Sequence, residues 1–215
     1  MGRKFSWNVY ASVFVITLLL FLIGVYIGVK LNELFLIDFS KEMETLNLKM
    51  NSYELLFLLD NSSMSCELYS EYVNNFDTET SNFGANLEYM EQHQGIEDRE
   101  LKMNYFELET RDYLISQKMI GACDINQSII LYFYSNTNCS LCKEQGFELD
   151  KLKKQVNINN QTNVRTYTYD GDYNESAVIR ALKKEFEISE YPTIIINGEK
   201  YEGLRRVQEI KNKLI

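Results

Sequence analysis

Residues 128–142 read SIILYFYSNTNCSLC, and this stretch decides the fold of the C-terminal part of the chain. A run of strand-forming residues, 129–134, ends in the polar loop 135–138. The loop leads to Cys139-Ser-Leu-Cys142, and a helical pattern begins at once. Two cysteines separated by two residues, between a buried strand and a helix, are typical of a thiol redox centre.

The position of this C-x-x-C pair favours redox chemistry over metal binding. A helix N-terminus has amide groups without helical acceptors and a partial positive charge, and both favour a thiolate. We therefore predict that Cys139 attacks and that Cys142 is the resolving thiol, with a redox-active disulfide between them. The alternative is half of a zinc site, which would need two further ligands. The chain has a single histidine, His93, and its other two cysteines lie far upstream, so we predict no metal and no cofactor.

The composition excludes one class of partner. The 215 residues include 22 Lys and Arg against 31 Asp and Glu, which gives a net charge of −9, and no basic stretch is present to contact phosphates. We therefore predict that the protein does not bind nucleic acid. The length suits one ordinary domain with additional segments. The four cysteines are an even number, which is compatible with disulfides.

An uncharged apolar segment, residues 9–29, follows a short N-terminus, residues 1–8. As a helix, this segment would be about 30 Å long, the thickness of the hydrocarbon core of a bilayer. A cleaved signal peptide is the alternative, but its apolar region is usually shorter, and no small-residue cleavage site follows here. We predict an uncleaved membrane anchor of one helix. Gly24-x-x-x-Gly28 is compatible with a homodimer, and equally with ordinary small residues in a spanning helix.

The charges on either side of this segment predict its orientation. Arg3 and Lys4 precede it, whereas Lys30 is followed by Glu33 and Asp38. Because positive residues favour the cytoplasmic side, we predict a single-pass protein of the cytoplasmic membrane, with the N-terminus inside and the C-terminal domain outside. A tethered domain that faces the cytoplasm is the alternative.

Residues 30–123 have a helical pattern without proline. Apolar residues recur at steps of three and four in three stripes, separated by turn signals at residues 60–63 and at Gln94-Gly95. We predict an all-α antiparallel helical hairpin or coiled-coil bundle that acts as a stalk, with a client-binding surface as the alternative. Asp38 or Ser40 could cap a new helix, so we expect the first helix to break near residue 38.

Cys66 and Cys123 are equidistant from the predicted turn at Gln94-Gly95. In an antiparallel hairpin, residues equidistant from the turn lie opposite each other. Helix axes are about 8–10 Å apart, wider than the Cα spacing of a disulfide, but terminal residues can lean inward. We therefore predict a structural disulfide, Cys66–Cys123, at the open end of the hairpin. Two unpaired thiols, and a second redox pair that exchanges with Cys139 and Cys142, are the alternatives.

The C-terminal region, residues 124–215, alternates between strand and helix patterns. Asn197-Gly198 predicts a hairpin that leads to a return strand at Lys200-Tyr201. The other strand patterns cover residues 129–134, 164–169 and 193–196, and the helical patterns cover residues 143–156, 175–186 and 207–214. The order is strand, helix, strand, helix, strand, strand, helix, which predicts an α/β domain.

This order, with CSLC after the first strand and the lone proline before the hairpin in YPTIIINGEKYEG, resembles the thioredoxin fold. The resemblance covers residues 126–215 and implies membership of the thioredoxin-like superfamily, whose thiol–disulfide oxidoreductases would act here through Cys139 and Cys142. It implies that Pro192 is a cis-proline facing this pair. It also implies that the backbone of Tyr191 binds an extended substrate segment, so that protein thiols and disulfides are the partners.

The chain departs from thioredoxin itself at several positions. Asn138 replaces the tryptophan before the motif, and Ser140-Leu141 replaces the Gly-Pro dipeptide. Phe133 lies where the family has a buried acid. These differences argue against a general reductase and leave an oxidase, an isomerase or a specialised reductase.

Together, these patterns predict a membrane-anchored thiol–disulfide oxidoreductase in four parts. These are a cytoplasmic N-terminus (1–8), a transmembrane helix (9–29), a helical stalk (30–123) and a thioredoxin-like domain (124–215). The alternative from another class is a non-catalytic adaptor that binds peptides with a thioredoxin-like module on a coiled-coil stalk.

Overall fold

A computed structural model of the protein describes residues 7–58, 62–159 and 163–214. Arg3 and Lys4, on which the predicted orientation rests, and Asp60 and Asn61 of a predicted turn lie outside the described residues. The α-helices are α1 Trp7–Leu58, α2 Ser62–Tyr89, α3 Arg99–Cys123, α4 Cys142–Asn159, α5 Ala177–Glu185 and α6 Val207–Lys211, and a π-helical turn, Met90–Gln94, follows α2. The strands are β1 Gln127–Tyr134, β2 Asn163–Asp170, β3 Thr193–Ile196 and β4 Glu199–Glu202.

The first helix, α1, is continuous over 52 residues. Its part Tyr10–Leu58 is long and apolar enough to cross a membrane, since its most apolar window has a mean hydropathy of 2.6 and no buried residue. The expectation that this helix breaks near residue 38 is wrong. Apolar residues at steps of three and four stay in phase through positions 35–46, so a continuous helix keeps them on one face. That gain outweighs the capping preference of Asp38 and Ser40.

The chain forms two compact units, and their boundary lies inside α1 between Thr45 and Leu46. In the first unit, every side chain from residue 10 to residue 31 is exposed. The second unit contains α2, α3 and the whole α/β region, so the helical hairpin and the sheet belong to one folded body.

The sheet has four strands in the order β2-β1-β3-β4. β1 and β2 are parallel, with Tyr134 opposite Asp170. β3 is antiparallel to β1, with Thr193 opposite Phe133, and β4 is antiparallel to β3. The carboxyl ends of β1 and β2 and the amino end of β3 therefore lie at the same end of the sheet.

Helices cover both faces of the sheet. On one face, α4 and α6 pack on β1 and β3 through Ile130, Tyr132, Ile194, Ile196, Leu149, Leu152 and Ile210. On the other face, the rings of Tyr167 and Tyr169 contact rings of α3, those of Tyr113 and Phe106. Full burial of one such side chain contributes about 1.5–3 kcal/mol, so α3 is part of the core that holds the sheet.

Buried polar contacts join the helical hairpin to the outer strand β2. Arg165 of β2 is 2% exposed and donates hydrogen bonds to Asp112 Oδ2 (2.6 Å) and Ser116 Oγ (2.8 Å) of α3. Its guanidinium is also 3.3 Å from Asp77 of α2, and the Tyr72 hydroxyl of α2 donates to Asp112. A buried guanidinium that loses its partners strongly destabilises a protein. The folded state therefore requires both α2 and α3, which supply the partners of Arg165.

A carboxyl group of α3 also satisfies the backbone of β2. The amide of Thr168 donates to Glu109 Oε2 (2.8 Å), and the Tyr105 hydroxyl donates to Glu109 Oε1 (2.7 Å). Burial raises the pKa of Glu109 to about 8, although both hydrogen bonds act in the opposite direction. In most folded molecules, the carboxyl group of Glu109 is therefore protonated at neutral pH.

We expect Glu109→Gln to weaken the pH dependence of stability. Below the unfolded-state pKa, near 4.5, the carboxyl group is protonated in both the folded and the unfolded state. The contribution of Glu109 to the free energy of unfolding is then fully present. As the pH rises towards about 8, the unfolded chain loses the proton while the folded chain keeps it. The wild type then loses up to about 1.4 kcal/mol per pH unit, a loss that glutamine avoids because it cannot ionise.

Urea unfolding of the detergent-solubilised chain at about pH 5 and about pH 8 measures this difference. Other buried carboxyl groups with a raised pKa, those of Asp112 and Asp170, are present in both proteins and cancel in the comparison. Equal losses in the wild type and in Glu109→Gln would contradict the prediction.

Candidate functional site

Cys139 and Cys142 form a disulfide with their Cα atoms 5.5 Å apart. Cys139 is partly exposed, whereas Cys142 is only 6% exposed and is the first residue of α4. A substrate can therefore reach the sulfur of Cys139 more readily than that of Cys142. We refer to these two residues as the redox pair.

Two hydrogen bonds fix the beginning of α4. The amide of Gln145 donates to the carbonyl of Leu141 (2.9 Å), and the Tyr132 hydroxyl of β1 donates to the carbonyl of Cys142 (2.6 Å). The first amide groups of a helix lack helical acceptors and carry partial positive charge. This charge lies beside the redox pair, where it favours a thiolate over a thiol once the disulfide is reduced.

Asp172 holds the loop that precedes Cys139, residues 135–138. Its carboxylate accepts hydrogen bonds from the Ser135 hydroxyl (2.9 Å) and from the amides of Asn136 (3.0 Å) and Thr137 (3.1 Å). Burial acts to raise the pKa of Asp172, but these hydrogen bonds outweigh it and lower the pKa below its usual value. Asp172 therefore stays ionised and fixes the course of the loop.

The Tyr191–Pro192 peptide bond is cis and directly precedes β3. The ring of Tyr191 packs on Gly171 so closely that a Cβ atom added there would lie 1.9 Å from the Tyr191 hydroxyl oxygen. Lys183 Nζ lies 5.7 Å from the centroid of the same ring and donates to the carbonyl of Gly171 (3.0 Å). The segment before β3 is thus fitted onto the turn after β2.

Three segments therefore meet at one end of the sheet. They are the Cys139 loop after β1, the end of β2 with the turn that follows it (170–172), and the Tyr191–Pro192 segment before β3. The element order from β1 to α6, with the C-x-x-C pair before the first helix and a cis-proline before the hairpin, is the arrangement that the resemblance implied. The C-terminal part of the chain has a thioredoxin-like fold.

Solved structures similar to part of this chain include a malarial protein, 26% identical over 42% of this chain and 100% of that chain, with a TM-score of 0.33. Thioredoxin-2, described as a component of malaria parasite protein secretion machinery, is 28% identical over 40% of this chain and 81% of that chain, with a TM-score of 0.33. The first thioredoxin domain of mouse protein disulfide-isomerase A4 is 24% identical over 46% of this chain and 68% of that chain, with a TM-score of 0.33. No family model and no curated protein matches the sequence.

The thioredoxin-like part differs from thioredoxin in its buried groups. Phe133 is fully buried and stacks on Tyr169 with the ring centroids 5.4 Å apart, so an apolar contact occupies the position where the family has an acid. Asn138, at the position of the tryptophan, is exposed. The neighbouring strand supplies a buried carboxyl group, that of Asp170, which is 1% exposed. Burial raises the pKa of Asp170 and outweighs the hydrogen bonds and the nearby cation that act to lower it.

Cys66 and Cys123 form a second disulfide, with Cα atoms 5.6 Å apart, which closes the open end of the hairpin. Cys123 precedes β1 and Cys139 follows it, and the eight residues of β1 span about 23 Å. The two disulfides therefore lie at opposite ends of β1. This separation favours a structural role for Cys66–Cys123 over exchange with the redox pair of the same chain.

The sequence patterns did not reveal Asp170, Asp172 or Lys102, which fix the surroundings of the Cys139 loop. The two aspartates could have been found from their place at the carboxyl end of β2 and just after it, because functional groups in α/β sheets collect at the carboxyl ends of the strands. No pattern marks Lys102, which lies in α3 and reaches Asp170 only through the fold.

A zinc site at the C-x-x-C pair would need two further ligands besides Cys139 and Cys142. Cys139 and Cys142 are joined to each other, and Cys66 and Cys123 are joined at the other end of β1. His93 is exposed and stacks on Tyr89, with the ring centroids 4.7 Å apart. Within the described part of the chain, no group of three or more His, Cys, Asp or Glu side chains is placed to hold a metal ion.

We expect alanine at two glycines to change stability with opposite signs. Gly171→Ala forces the Tyr191 ring off the turn after β2 and is expected to cost about 1 kcal/mol, the low end of the range for overpacking, because the atoms it meets are the far end of a partly exposed side chain. Gly146→Ala, inside α4, places its methyl group where no atom lies within 4 Å, and is expected to stabilise by up to about 1 kcal/mol. Thermal unfolding of both variants measures the two effects, and an unchanged Gly171→Ala would contradict the packing of Tyr191.

Proposed function

We propose that the protein is a membrane-anchored thiol–disulfide oxidoreductase that acts on protein thiols and disulfides through Cys139 and Cys142. The observation that carries the proposal is the placement of the redox pair. An accessible sulfur and a buried sulfur lie at the beginning of α4, at the end of the sheet that also carries the cis-proline segment. An exchange centre needs one sulfur open to the substrate and a second sulfur that only the first can reach.

In the reducing direction, both cysteines begin as thiols. The thiolate of Cys139 attacks one sulfur of a substrate disulfide, that disulfide breaks, and its second sulfur leaves as a thiolate that takes up a proton. The thiolate of Cys142 then attacks Cys139 Sγ, which breaks the mixed disulfide and releases the first substrate sulfur. The Cys139–Cys142 disulfide forms, and two electrons have passed to the substrate.

In the oxidising direction, the same steps run backwards. A substrate thiolate attacks Cys139 Sγ, because Cys142 Sγ is buried, and Cys142 leaves. A second substrate thiolate then attacks the substrate sulfur of the mixed disulfide, and both cysteines end as thiols. The exposed Asn138 and the apolar Phe133 fit an oxidase, an isomerase or a specialised reductase better than a general reductase.

We further propose that Tyr191 and Pro192 form the substrate-binding segment. The ring of Tyr191 is held against Gly171 and Lys183. Its backbone precedes β3 and is the group that would pair with an extended substrate segment by strand addition. A peptide bound in this way would lie across the end of the sheet at which Cys139 is accessible.

The proposed anchor is α1, whose exposed apolar side chains from residue 10 to residue 31 require an apolar medium. The charges of Arg3 and Lys4 favour a cytoplasmic N-terminus, which supports the proposal that the redox pair lies outside the cytoplasmic membrane. A single spanning helix with Gly24 and Gly28 is also the segment through which a homodimer would form.

A Cys142→Ala variant of the full chain tests the proposed function. It keeps the attacking thiol of Cys139 and lacks the thiol that resolves the mixed disulfide, so a covalent adduct with scrambled ribonuclease is expected to accumulate. Non-reducing electrophoresis and peptide mass mapping detect the adduct at Cys139. If this variant forms no more adduct than a Cys139→Ala/Cys142→Ala double variant, the proposal fails and the peptide-binding adaptor becomes the better description.

A further inference from the structure

A buried lysine connects the helical hairpin to the redox site. Lys102 of α3 is 3% exposed, and its ammonium group lies 2.7 Å from Glu91 Oε2 and 3.2 Å from Asp170 Oδ2. The ammonium group also lies 4.9 Å from the centroid of the Tyr173 ring and 5.9 Å from that of Tyr134. Complete burial of a charged group costs free energy unless the group is paired. The partners of Lys102 therefore hold it in this position.

Asp170 connects Lys102 to the Cys139 loop by hydrogen bonds to both. The oxygen that faces Lys102, Oδ2, also accepts a hydrogen bond from Asn136 Nδ2 (2.9 Å). Its other oxygen, Oδ1, accepts one from the amide of Asp172 (3.0 Å), the residue that holds the rest of the loop. Lys102, Asp170 and Asn136 therefore form a continuous chain of contacts from α3 to the loop, which we call the Lys102 link.

The charges in this region are unbalanced in favour of anions. Lys102 contacts two carboxyl groups, and a third, that of Asp172, lies at the loop itself. Glu91 Oε1 is buried and accepts no hydrogen bond from the described residues. Burial raises the pKa of Glu91 and of Asp170, although the Lys102 ammonium group acts to lower both. Removal of the ammonium group would leave this region more negative, next to the loop that ends at Cys139.

We propose that Lys102 is a positioning residue for the redox pair: through Asp170 and Asn136 it sets the charge and course of the Cys139 loop, and with them the equilibrium between disulfide and dithiol. The proposal rests on the proposed exchange chemistry of Cys139 and Cys142. It adds that a residue of the helical hairpin, outside the region that resembles thioredoxin, tunes that chemistry. A more negative loop disfavours the thiolate of the reduced form, so loss of Lys102 shifts the equilibrium towards the disulfide.

The equilibrium with glutathione measures this effect directly. Two glutathione thiols give two electrons and two protons to the Cys139–Cys142 bond, which breaks into two thiols while one glutathione disulfide forms. The full chain in detergent is equilibrated in glutathione buffers, and its thiols are alkylated. After digestion, mass spectrometry measures the alkylated fraction of the peptide that contains Cys139 and Cys142. This readout excludes Cys66 and Cys123, whose peptides have different masses.

Lys102→Met removes the charge and keeps the length of the side chain. We expect it to shift the equilibrium constant towards the disulfide by about fivefold, the effect of one hydrogen bond of ordinary strength. Lys102→Arg restores the charge and is expected to recover at least half of the shift. Lys49→Met, which breaks an exposed pair with Glu79, is the control and is expected to match the wild type.

Asn136→Ala cuts the same link from the exposed side and leaves the contact between Lys102 and Asp170 in place. A shift in the same direction is expected, and this variant decides the question if Lys102→Met does not fold. A constant within about twofold of the wild type in the folded variants would overturn the positioning role, whatever the loss of thermal stability. If instead the wild-type pair does not exchange with glutathione at all, the proposed function itself fails.

Discussion

A full-length chain with Cys139→Ser is expected to lose thiol–disulfide exchange with protein substrates. Its rate should equal that of the uncatalysed reaction in the same buffer. Serine cannot form the mixed disulfide, and the sulfur that remains, that of Cys142, is 6% exposed at the beginning of α4. A sulfur buried in that position is poorly accessible to a substrate disulfide. Insulin reduction and the refolding of scrambled ribonuclease measure the two directions of the reaction.

The control for this variant is a chain with both Cys66→Ala and Cys123→Ala. It removes the other disulfide, which joins residues 57 positions apart, and is expected to lose about 4 kcal/mol of stability. Below its lowered melting temperature it should keep the exchange activity, because its redox pair is unaltered. The assignment of roles would be contradicted if Cys139→Ser remained active, or if the double variant became inactive while it was still folded.

A fragment that begins at Asp124 is not expected to fold, whereas one that begins at Leu46 is. The shorter fragment contains all four strands but lacks α2 and α3. It therefore lacks Asp112, Ser116 and Asp77, the partners of Arg165, together with the two helices that bury this guanidinium. It also exposes the face of the sheet that Phe106 and Tyr113 cover. A domain of this size is stable by only about 5–15 kcal/mol, so these losses are decisive.

Near-ultraviolet circular dichroism and thermal unfolding distinguish the two fragments. The fragment from Leu46 should show a fixed aromatic spectrum and one cooperative transition, whereas the fragment from Asp124 should show neither. Cooperative unfolding of the shorter fragment would show that the hairpin is an accessory of the sheet rather than part of its core.

The strands and the redox pair could be predicted because local signals determine them. The run 129–134, the Asn197-Gly198 turn and the C-x-x-C spacing each act over a few residues, and the structure has β1, β3 and β4 at those places. The Cys66–Cys123 pair follows from the symmetry of a hairpin, which needs only a correct turn. These features require no knowledge of what packs against them.

The part of the site that long-range contacts create could not be predicted in this way. Lys102 and Glu109 read as ordinary polar positions of an amphipathic helix, but both are buried against β2 or the turn after it. Arg165 interrupts a strand pattern and gives no sign that α2 and α3 supply its partners. Likewise, the continuity of α1 past Asp38 depends on a stripe of apolar residues that extends beyond any local capping signal.

The two outer strands, β2 and β4, determine whether the sheet can pair with a strand of another molecule at high protein concentration. β2 offers the Thr168 amide to Glu109 and lies under the helical hairpin, so it is a poor template for a strand from another molecule. β4 has only four residues, and its Glu199, Lys200 and Glu202 are exposed charges. Neither border of the described sheet is a long uncharged edge, so pairing of strands between two copies of the protein is disfavoured.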